Sequence, residues 1–270
     1  MTHTNSPAAR TLTSVLMLLV LLGLASITYS RNFAWKTPTS LWADVVAKSP
    51  DKARPHYNYA TVLAGEGRLD EALEENIRSL KIYPYYGKSY FNIGAILQVR
   101  GRVQEAIENY RTAIELKPDI VEAHNNLGYA YYSMGLLDSA LGEYREAIRF
   151  KPSYAKAYFN IGRIYMEQGR LEDAGRELRK SIGYDPDNAQ AYYLLGKVLL
   201  EQGRMTEAAQ GFTEALERQP GMAEAYNGIG RILESRGRYG DAAEAYRTAL
   251  KISPGFEEAR KNLMGLRERR

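Results

Sequence analysis

The chain has 270 residues, no cysteine and a formal net charge of +4, from 36 basic and 32 acidic residues. Disulfides and thiolate metal sites are therefore excluded. The nearly balanced charge does not argue for nucleic acid binding, so no nucleic acid partner is expected. The length is large for one globular core, but a stack of repeated units, each burying its apolar face against the next, needs no single core.

The N-terminal part combines a short polar tail, residues 1–10, with residues 11–30, which contain no charged side chain. A helix of this length is about 30 Å long, enough to cross the hydrocarbon core of a bilayer. We therefore expect a single-pass transmembrane anchor. The alternative is a cleaved signal peptide, in which Gly23 and Ala25 supply the small residues of the cleavage site. A short tail before one apolar segment usually stays in the cytoplasm, so the rest of the chain is expected on the periplasmic or extracytoplasmic side.

Residues 31–52 are predicted to form a linker and one capping helix over residues 37–50. Thr37 suits the N-cap of this helix, and Pro38 suits its first position, where the missing N–H costs nothing. The helix has no partner helix of its own before the repeats begin. We therefore expect it to cover the apolar side of the first repeat, with Trp42 as the main contact.

A repeated unit of 34 residues follows the capping helix. Seven prolines stand at this interval: Pro50, Pro84, Pro118, Pro152, Pro186, Pro220 and Pro254. The six repeats cover residues 53–256, as 53–86, 87–120, 121–154, 155–188, 189–222 and 223–256. Positions 1–14 of each repeat are predicted to form helix A, and positions 18–31 to form helix B. Residues 257–270 begin like another helix A and are predicted to form a C-terminal capping helix.

Three columns of small residues support this division. Position 15 is always glycine, which tolerates the left-handed backbone that ends a helix: Gly67, Gly101, Gly135, Gly169, Gly203 and Gly237. Position 8 holds Ala60, Gly94, Gly128, Gly162, Gly196 and Gly230, and position 20 is alanine throughout. Small residues at positions 8 and 20 allow helices A and B to approach closely. Gly175 and Gly211 lie inside predicted B helices and are expected to soften repeats 4 and 5.

This pattern resembles the tetratricopeptide repeat (TPR), a 34-residue helix–turn–helix unit with small, aromatic and proline positions at these places. The resemblance covers about four fifths of the chain. It implies an all-α fold, a right-handed superhelical solenoid of six repeats. Proteins of this kind bind other proteins and act as scaffolds.

No catalytic constellation is found in the sequence. There is no glycine-rich phosphate loop, no cluster of metal ligands and no nucleophile motif, so we expect no enzyme activity, no cofactor and no metal. His56 and His124 both occupy position 4 of helix A, where other repeats have tyrosine. A packing role in the core is therefore expected for both histidines. The acidic pair Glu74–Glu75 on helix B is expected to face solvent.

The TPR resemblance implies that the outer face of helix A lines a concave groove for a peptide. The candidate peptide-binding residues at position 6 are Asn58, Asn92, Asn126 and Asn160, and those at position 5 are Tyr57, Phe91, Asn125, Phe159, Tyr193 and Asn227. Basic candidates are Arg163, Lys197 and Arg231 at position 9, and Lys156 at position 2. A side-chain amide both donates and accepts, so it can pair with an extended peptide backbone. The asparagine row resembles the ladder in the repeat domain of O-linked N-acetylglucosamine transferase. Asparagine at position 6 also belongs to the general repeat consensus, so inheritance without use is the alternative.

The row of cations favours an acidic segment or a C-terminal carboxylate as ligand. The clamp residues of chaperone-binding repeats are not present in the required order, which disfavours a chaperone-tail receptor. The stretch over residues 31–60 resembles the junction between the last membrane helix and the repeats of TMTC-like or bacterial glycosyltransferase-type membrane proteins. Three functions follow as hypotheses: a membrane-anchored scaffold that binds an extended peptide, a non-catalytic repeat subunit or fragment of a membrane glycosyltransferase system, or a cleaved periplasmic or secreted adaptor.

Overall fold

The computed structural model describes residues 7–268, apart from the side chains of residues 7–10, 13, 31–34 and 267–268. The described residues form fifteen α-helices and no strand. The predicted tail at residues 1–10 therefore lies partly outside the described residues. The chain divides into two compact units, the first ending at Lys117 and the second beginning at Pro118. Repeat 1 and both helices of repeat 2 belong to the first unit, and repeats 3 to 6 belong to the second.

The helices follow the 34-residue register. Two helices precede the repeats, α1 (Pro7–Ala34) and α2 (Pro38–Lys48). The A helices are α3 (Ala53–Gly65), α5 (Gly87–Val99), α7 (Val121–Ser133), α9 (Ala155–Glu167), α11 (Ala189–Glu201) and α13 (Ala223–Ser235). The B helices are α4 (Leu69–Ile82), α6 (Val103–Leu116), α8 (Leu137–Phe150), α10 (Leu171–Tyr184), α12 (Met205–Arg218) and α14 (Tyr239–Ile252). Helix α15 (Glu257–Glu268) follows the sixth repeat. Each A and B helix ends one residue earlier than the sequence predicts.

The turn between helices A and B depends on the glycine at position 15. All six of these glycines have positive φ, between +71° and +77°. In repeat 1, the N–H of Gly67 donates to the carbonyl of Ala64 at 3.0 Å, and the N–H of Arg68 donates to the carbonyl of Leu63 at 2.9 Å. These bonds satisfy the last carbonyls of helix A. A side chain at this glycine would meet nothing within 4 Å, so backbone conformation and not space requires glycine there.

The close approach of helices A and B depends on the glycine at position 8, as the sequence predicts. In repeat 3, a Cβ on Gly128 would lie 2.7 Å from the ring of Tyr144 in helix B. Repeat 1 is the exception, because it has Ala60 at position 8 and the smaller Asn76 in place of the ring. Both residues are completely buried. The methyl group of Ala60 is therefore accommodated where helix B presents a smaller side chain.

The ends of the repeat array are covered by α2 and α15. Thr37 accepts a hydrogen bond from the backbone N–H of Ser40, and the Ser40 hydroxyl accepts one from the backbone N–H of Thr37, which forms a capping box at the start of α2. Helix α2 packs against α3, and Trp42 is partly buried. Helix α15 packs against α14 through Leu266, which is 3% exposed and contacts the core around Tyr246.

Residues 11–30, the predicted transmembrane anchor, lie in α1. The large apolar side chains that the structure describes in this run are strongly exposed, from 48% at Val15 to 74% at Tyr29. Within the described residues, however, no helix has both the length and the apolar character needed to cross a membrane. The structure does not support the predicted membrane-spanning helix.

Candidate peptide-binding surface

The predicted binding residues all lie on A helices. Helices α3 and α5 of the first unit carry Tyr57, Asn58, Phe91 and Asn92. Helices α7, α9, α11 and α13 of the second unit carry Asn125, Asn126, Lys156, Phe159, Asn160, Arg163, Tyr193, Lys197, Asn227 and Arg231. We call these residues of the second unit its A-helix face. The A helices within each unit contact one another in sequence order, so each unit brings its own set of residues together.

In the first unit, the four candidate side chains are partly buried, and one of them joins α5 to α3. The amide of Asn92 on α5 donates to the hydroxyl of Thr61 on α3 at 3.0 Å. The ring of Tyr57 lies edge-on to Tyr86, with centroids 5.3 Å apart, and the ammonium of Lys88 lies 5.9 Å from the Tyr57 ring centroid. The Asn92 amide thus holds neighbouring A helices together.

In the second unit, asparagine amides at position 6 also bond to the preceding A helix, but to a different position. The amide of Asn160 on α9 donates to the side-chain oxygen of Asn125 on α7 at 3.1 Å. The amide of Asn262 on α15 donates to the side-chain oxygen of Asn227 on α13 at 2.9 Å. These bonds join position 6 of one helix to position 5 of the preceding A helix. These asparagines therefore connect successive repeats. This role agrees with the alternative that the asparagine row belongs to the repeat consensus and is not used for binding.

Burial limits what these amides can offer a ligand. Asn125, Asn160 and Asn227 are only 8%, 8% and 4% exposed. Asn125 both accepts from Asn160 and donates to Asn126 at 3.3 Å, so its oxygen and its nitrogen are each already engaged. Sequence reasoning missed Asn262, although counting the 34-residue register past Pro254 places it at position 6.

The cations at position 9 have different environments. Arg231 is half-exposed, and its Nη1 lies 3.8 Å from Oε1 of Glu258. Lys197 and Arg231 line one pocket with Tyr193 and Glu224. The carboxylates of Glu224 and Glu258 partly offset the positive charge of Lys197 and Arg231 in this pocket. Burial raises the pKa of Tyr193, so its phenol stays protonated and can donate a hydrogen bond at neutral pH.

Other side chains of the A-helix face differ in accessibility. Lys156 is exposed, whereas Phe159 and Asn126 are partly buried. The guanidinium of Arg163 lies over the ring of Tyr132, with its carbon 4.2 Å from the ring centroid. Arg163 is therefore held by an aromatic neighbour, while Lys156 projects into solvent.

The two histidines have a structural role. Nε2 of His124 lies 3.0 Å from the carbonyl oxygen of Pro118, and Nδ1 lies 2.7 Å from Oε2 of Glu143. His56 repeats this arrangement with Pro50 at 2.9 Å and Glu75 at 2.5 Å. The packing role predicted for both histidines agrees with this geometry.

The prediction that Glu75 faces solvent is wrong, since this residue is only 6% exposed. The Glu75 carboxylate contacts both His56 and Arg78, and Nη1 of Arg78 lies 2.6 Å from Oε1 of Glu75. The signal that could have found this pair is the repeat register. Glu75 and Glu143 share position 23 in the two repeats that have histidine at position 4. Within the described residues, no group of three metal-ligating side chains occurs.

Solved structures with a similar fold are repeat proteins. The chain superposes on the APC/C hetero-tetramer Cut9–Hcn1 with a TM-score of 0.74, at 16% identity, over 87% of this chain and 46% of that one. It superposes on YrrB, described as a TPR protein with an unusual peptide-binding site, with a TM-score of 0.58, at 20% identity, over 69% of this chain and 96% of that one. The structure of MamA gives a TM-score of 0.55, at 26% identity, over 60% of this chain and 95% of that one. These comparisons confirm the all-α TPR solenoid.

Two curated relatives match a smaller part of the chain. Protein O-mannosyl-transferase TMTC1 of Homo sapiens is 35% identical over 88 residues, which is 33% of this chain and 10% of that protein. Protein O-mannosyl-transferase F38B6.6 of Caenorhabditis elegans is 35% identical over 72 residues, which is 27% of this chain and 10% of that protein. The chain spans about a tenth of the length of these relatives. Similarity to the TMTC type is therefore found over part of the chain.

The sequence profile of a family described as the cilia and flagella-associated protein 70 C-terminal domain matches residues 43–269. The matched region begins within α2 and contains all six repeats and the described part of α15. Because this match covers most of the chain, the protein belongs to this family of TPR type.

Proposed function

We propose that the protein is a non-catalytic scaffold that binds an extended segment of a partner protein on the A-helix face of its second unit. The observation that carries this proposal is the row of Arg163, Lys197 and Arg231. These cations occupy the same position in three successive repeats, beside the partly buried rings of Phe159 and Tyr193. Aromatic surface and charged donors at a regular spacing suit an extended chain, and the positive charge favours an acidic or C-terminal segment.

The TPR fold supports a function in protein binding. TPR solenoids present open helix faces to partners, and YrrB is described as having a peptide-binding site. The likeness to YrrB is at the level of fold, so its ligand is not carried over. We infer the surface on this chain from the side chains that it presents.

The test is selection of random 12-residue peptides on the immobilised protein, followed by affinity measurement of selected peptides by fluorescence anisotropy. Replacing Lys197 and Arg231 with glutamate should weaken binding by about tenfold or more, because the ligand loses two attractive charges and meets two repulsive ones. The matched control replaces Arg247 and Lys251, which are exposed on α14, with glutamate. Recovery of no peptide, or equal weakening in both variants, contradicts the proposal.

A second candidate function is a non-catalytic repeat subunit or fragment of a membrane glycosyltransferase system. The identity of 35% over 88 residues with human TMTC1 favours it. Because the match covers 10% of that protein, its transferase activity is not assigned to this chain. Affinity purification from detergent-solubilised membranes tests the idea, since a subunit should co-purify with a membrane glycosyltransferase at fixed stoichiometry.

For localisation, we propose attachment to a membrane surface through the exposed apolar side chains of α1, with the repeats on the periplasmic or extracytoplasmic side. Clustered leucines that are more than half exposed, such as Leu16 and Leu19, support the proposal because apolar area in water is costly. Flotation with liposomes should be lost when both leucines are replaced with serine. The mass of the N-terminus in cells distinguishes a retained segment from the cleaved adaptor.

A further inference from the structure

A hydrogen bond between helix B and helix A recurs in two repeats and fails in a third. In repeat 2, the Tyr110 hydroxyl at position 24 donates to Oε1 of Gln98 at 2.6 Å. In repeat 6, the Tyr246 hydroxyl at the same position donates to Oε2 of Glu234 at 2.8 Å. Gln98 and Glu234 both occupy position 12 of helix A. A tyrosine at position 24 is therefore satisfied by an acceptor at position 12.

Repeat 3 has the tyrosine without this acceptor. Tyr144 is completely buried, and its hydroxyl meets no hydrogen-bond partner among the described residues. Position 12 is Tyr132, which donates its own hydroxyl to Glu167. Burial raises the pKa of Tyr144, although the charge of Arg163 opposes this shift. The Tyr144 hydroxyl is therefore a protonated, buried hydrogen-bond donor without an acceptor among the described residues.

Arg163, which lies against the same Tyr132, adds two more N–H donors that lack an acceptor. Its guanidinium lies over Tyr132, and the Tyr129 ring centroid is 5.7 Å away. Nε and Nη2 of Arg163 are both buried, and neither meets an acceptor among the described residues. Buried charged donors are normally paired, because their desolvation is otherwise uncompensated. Arg231, at the same position two repeats later, has Glu258 beside it.

We infer that Arg163 and Tyr144 form a receptor for one carboxylate of the bound segment, and this inference rests on the proposed function. A guanidinium offers two parallel N–H groups that match the two oxygens of a carboxylate. Stacking on Tyr132 fixes the guanidinium plane, which reduces the entropy lost on binding. The Tyr144 hydroxyl supplies a third donor. The Tyr129 ring is 44% exposed and lies beside the Arg163 guanidinium, so a rotamer change of this ring can open access to the donors.

The test uses two random 12-residue peptide libraries that differ only in a central residue, fixed as glutamate in one and glutamine in the other. Each is prepared with a free and with an amidated C-terminus, which separates a side-chain carboxylate from a terminal one. We expect the wild-type protein to retain one carboxylate form about tenfold more strongly than its neutral counterpart. The Arg163→Gln variant should lose this preference, and Arg163→Lys should keep only part of it because it lacks the planar fork.

The matched control is Arg247→Gln, which removes the same charge from an exposed guanidinium on α14, outside the A-helix face, and should keep the preference. Capture of peptides without any carboxylate preference, or an unchanged preference in Arg163→Gln, overturns the inference and leaves the scaffold function standing. If no peptide is captured at all, the scaffold function and the inference both fail.

A second measurement needs no peptide and guards against misfolded variants. Tyr144→Phe should keep the thermal midpoint of the wild-type protein or raise it, because the lost hydroxyl has no protein partner. Tyr246→Phe should lower the midpoint, because its hydroxyl donates to Glu234. Tyr144→Phe should also weaken the carboxylate preference. An equal drop of the midpoint in both variants would show that Tyr144 is already satisfied within the protein and would overturn the inference.

Discussion

Repeats 4 and 5 both place a glycine inside helix B, and the two glycines have different surroundings. A Cβ on Gly211 in repeat 5 would lie 3.0 Å from the Cα of Gly196, backbone that cannot move aside. A Cβ on Gly175 in repeat 4 would be 3.5 Å from a nitrogen of the Arg179 side chain and 3.7 Å from Val198, which is ordinary contact. Gly211 is therefore required for close helix packing, whereas Gly175 only adds flexibility to its helix. The same residue type has opposite consequences in neighbouring repeats.

The largest expected effect separates these two glycines. Gly211→Ala should lower the free energy of unfolding by about 1–3 kcal/mol, because the new methyl group forces α11 and α12 apart. Gly175→Ala should raise it by about 0.5–1 kcal/mol, because alanine restricts the unfolded chain and fits the helix. Urea denaturation followed by circular dichroism measures both changes.

The control for this pair is Gly142→Ala in repeat 3, where a Cβ would meet nothing within 4 Å. It should behave like Gly175→Ala and raise the free energy of unfolding. An increase in the free energy of unfolding at both Gly175 and Gly211 would show that helix propensity alone governs the two positions.

A second prediction compares how the two repeats satisfy the proline carbonyl that precedes helix A. In repeat 4, the Tyr158 hydroxyl donates to the carbonyl of Pro152 at 3.0 Å. In repeat 5, Nε of Arg218 donates to the carbonyl of Pro186 at 2.5 Å. Tyr158→Phe should lower the free energy of unfolding by about 1 kcal/mol, because the Pro152 carbonyl loses its partner.

The matched variant in repeat 5 is Tyr192→Phe. In the wild-type protein, the Tyr192 hydroxyl accepts a hydrogen bond from Nη2 of Arg218 at 3.1 Å. Its loss should be smaller, because Arg218 still donates to the Pro186 carbonyl and still stacks on the ring at position 192, 4.0 Å from the centroid. Chemical denaturation of both variants decides the point. Equal losses would mean that the hydroxyl, and not the carbonyl partner, determines stability at this position.

The smallest effect extends the comparison to repeat 3, where His124 replaces the tyrosine. Burial lowers the pKa of His124, but hydrogen bonds to Glu143 and to the Pro118 carbonyl, with the charges of Glu143 and Glu146, raise it above its usual value. A raised pKa in the folded state stabilises the protein fully below the unfolded value of about 6.5. This contribution is lost as the pH rises through the folded pKa.

The free energy of unfolding, measured from about pH 5.5 to pH 9 across the reference histidine pKa, should therefore decline more steeply in the wild-type protein than in His124→Gln. Glu143→Gln should remove much of the same pH dependence, because it removes the partner that favours the charged imidazole. Tyr158→Phe is the control, since its effect should not change over this range. A steeper decline in His124→Gln than in the wild-type protein would contradict the sign.

Parts of the fold could be predicted because the residues that set them are local. The glycine at position 15 ends helix A by its own backbone conformation, and Thr37 and Pro38 start α2 by contacts within one turn. The candidate site was predictable only as a set of positions. That Asn160 donates its amide to Asn125 depends on which side chains meet across two helices. The pairing of Glu75 with His56 and the position of Asn262 could have been read from the 34-residue register.

The sequence by itself determined the 34-residue period, the alternation of A and B helices and the helices that carry the binding candidates, because periodicity and backbone preference act over short distances along the chain. Only the tertiary structure decided which glycine is required by contact and which is not. It also decided that Tyr144 and Arg163 have hydrogen-bond donors without acceptors beside Tyr132. Such contacts join residues on different helices, separated by between about half a repeat and one repeat along the chain. Distance in space, and not the residue type alone, determines there whether a group finds a partner.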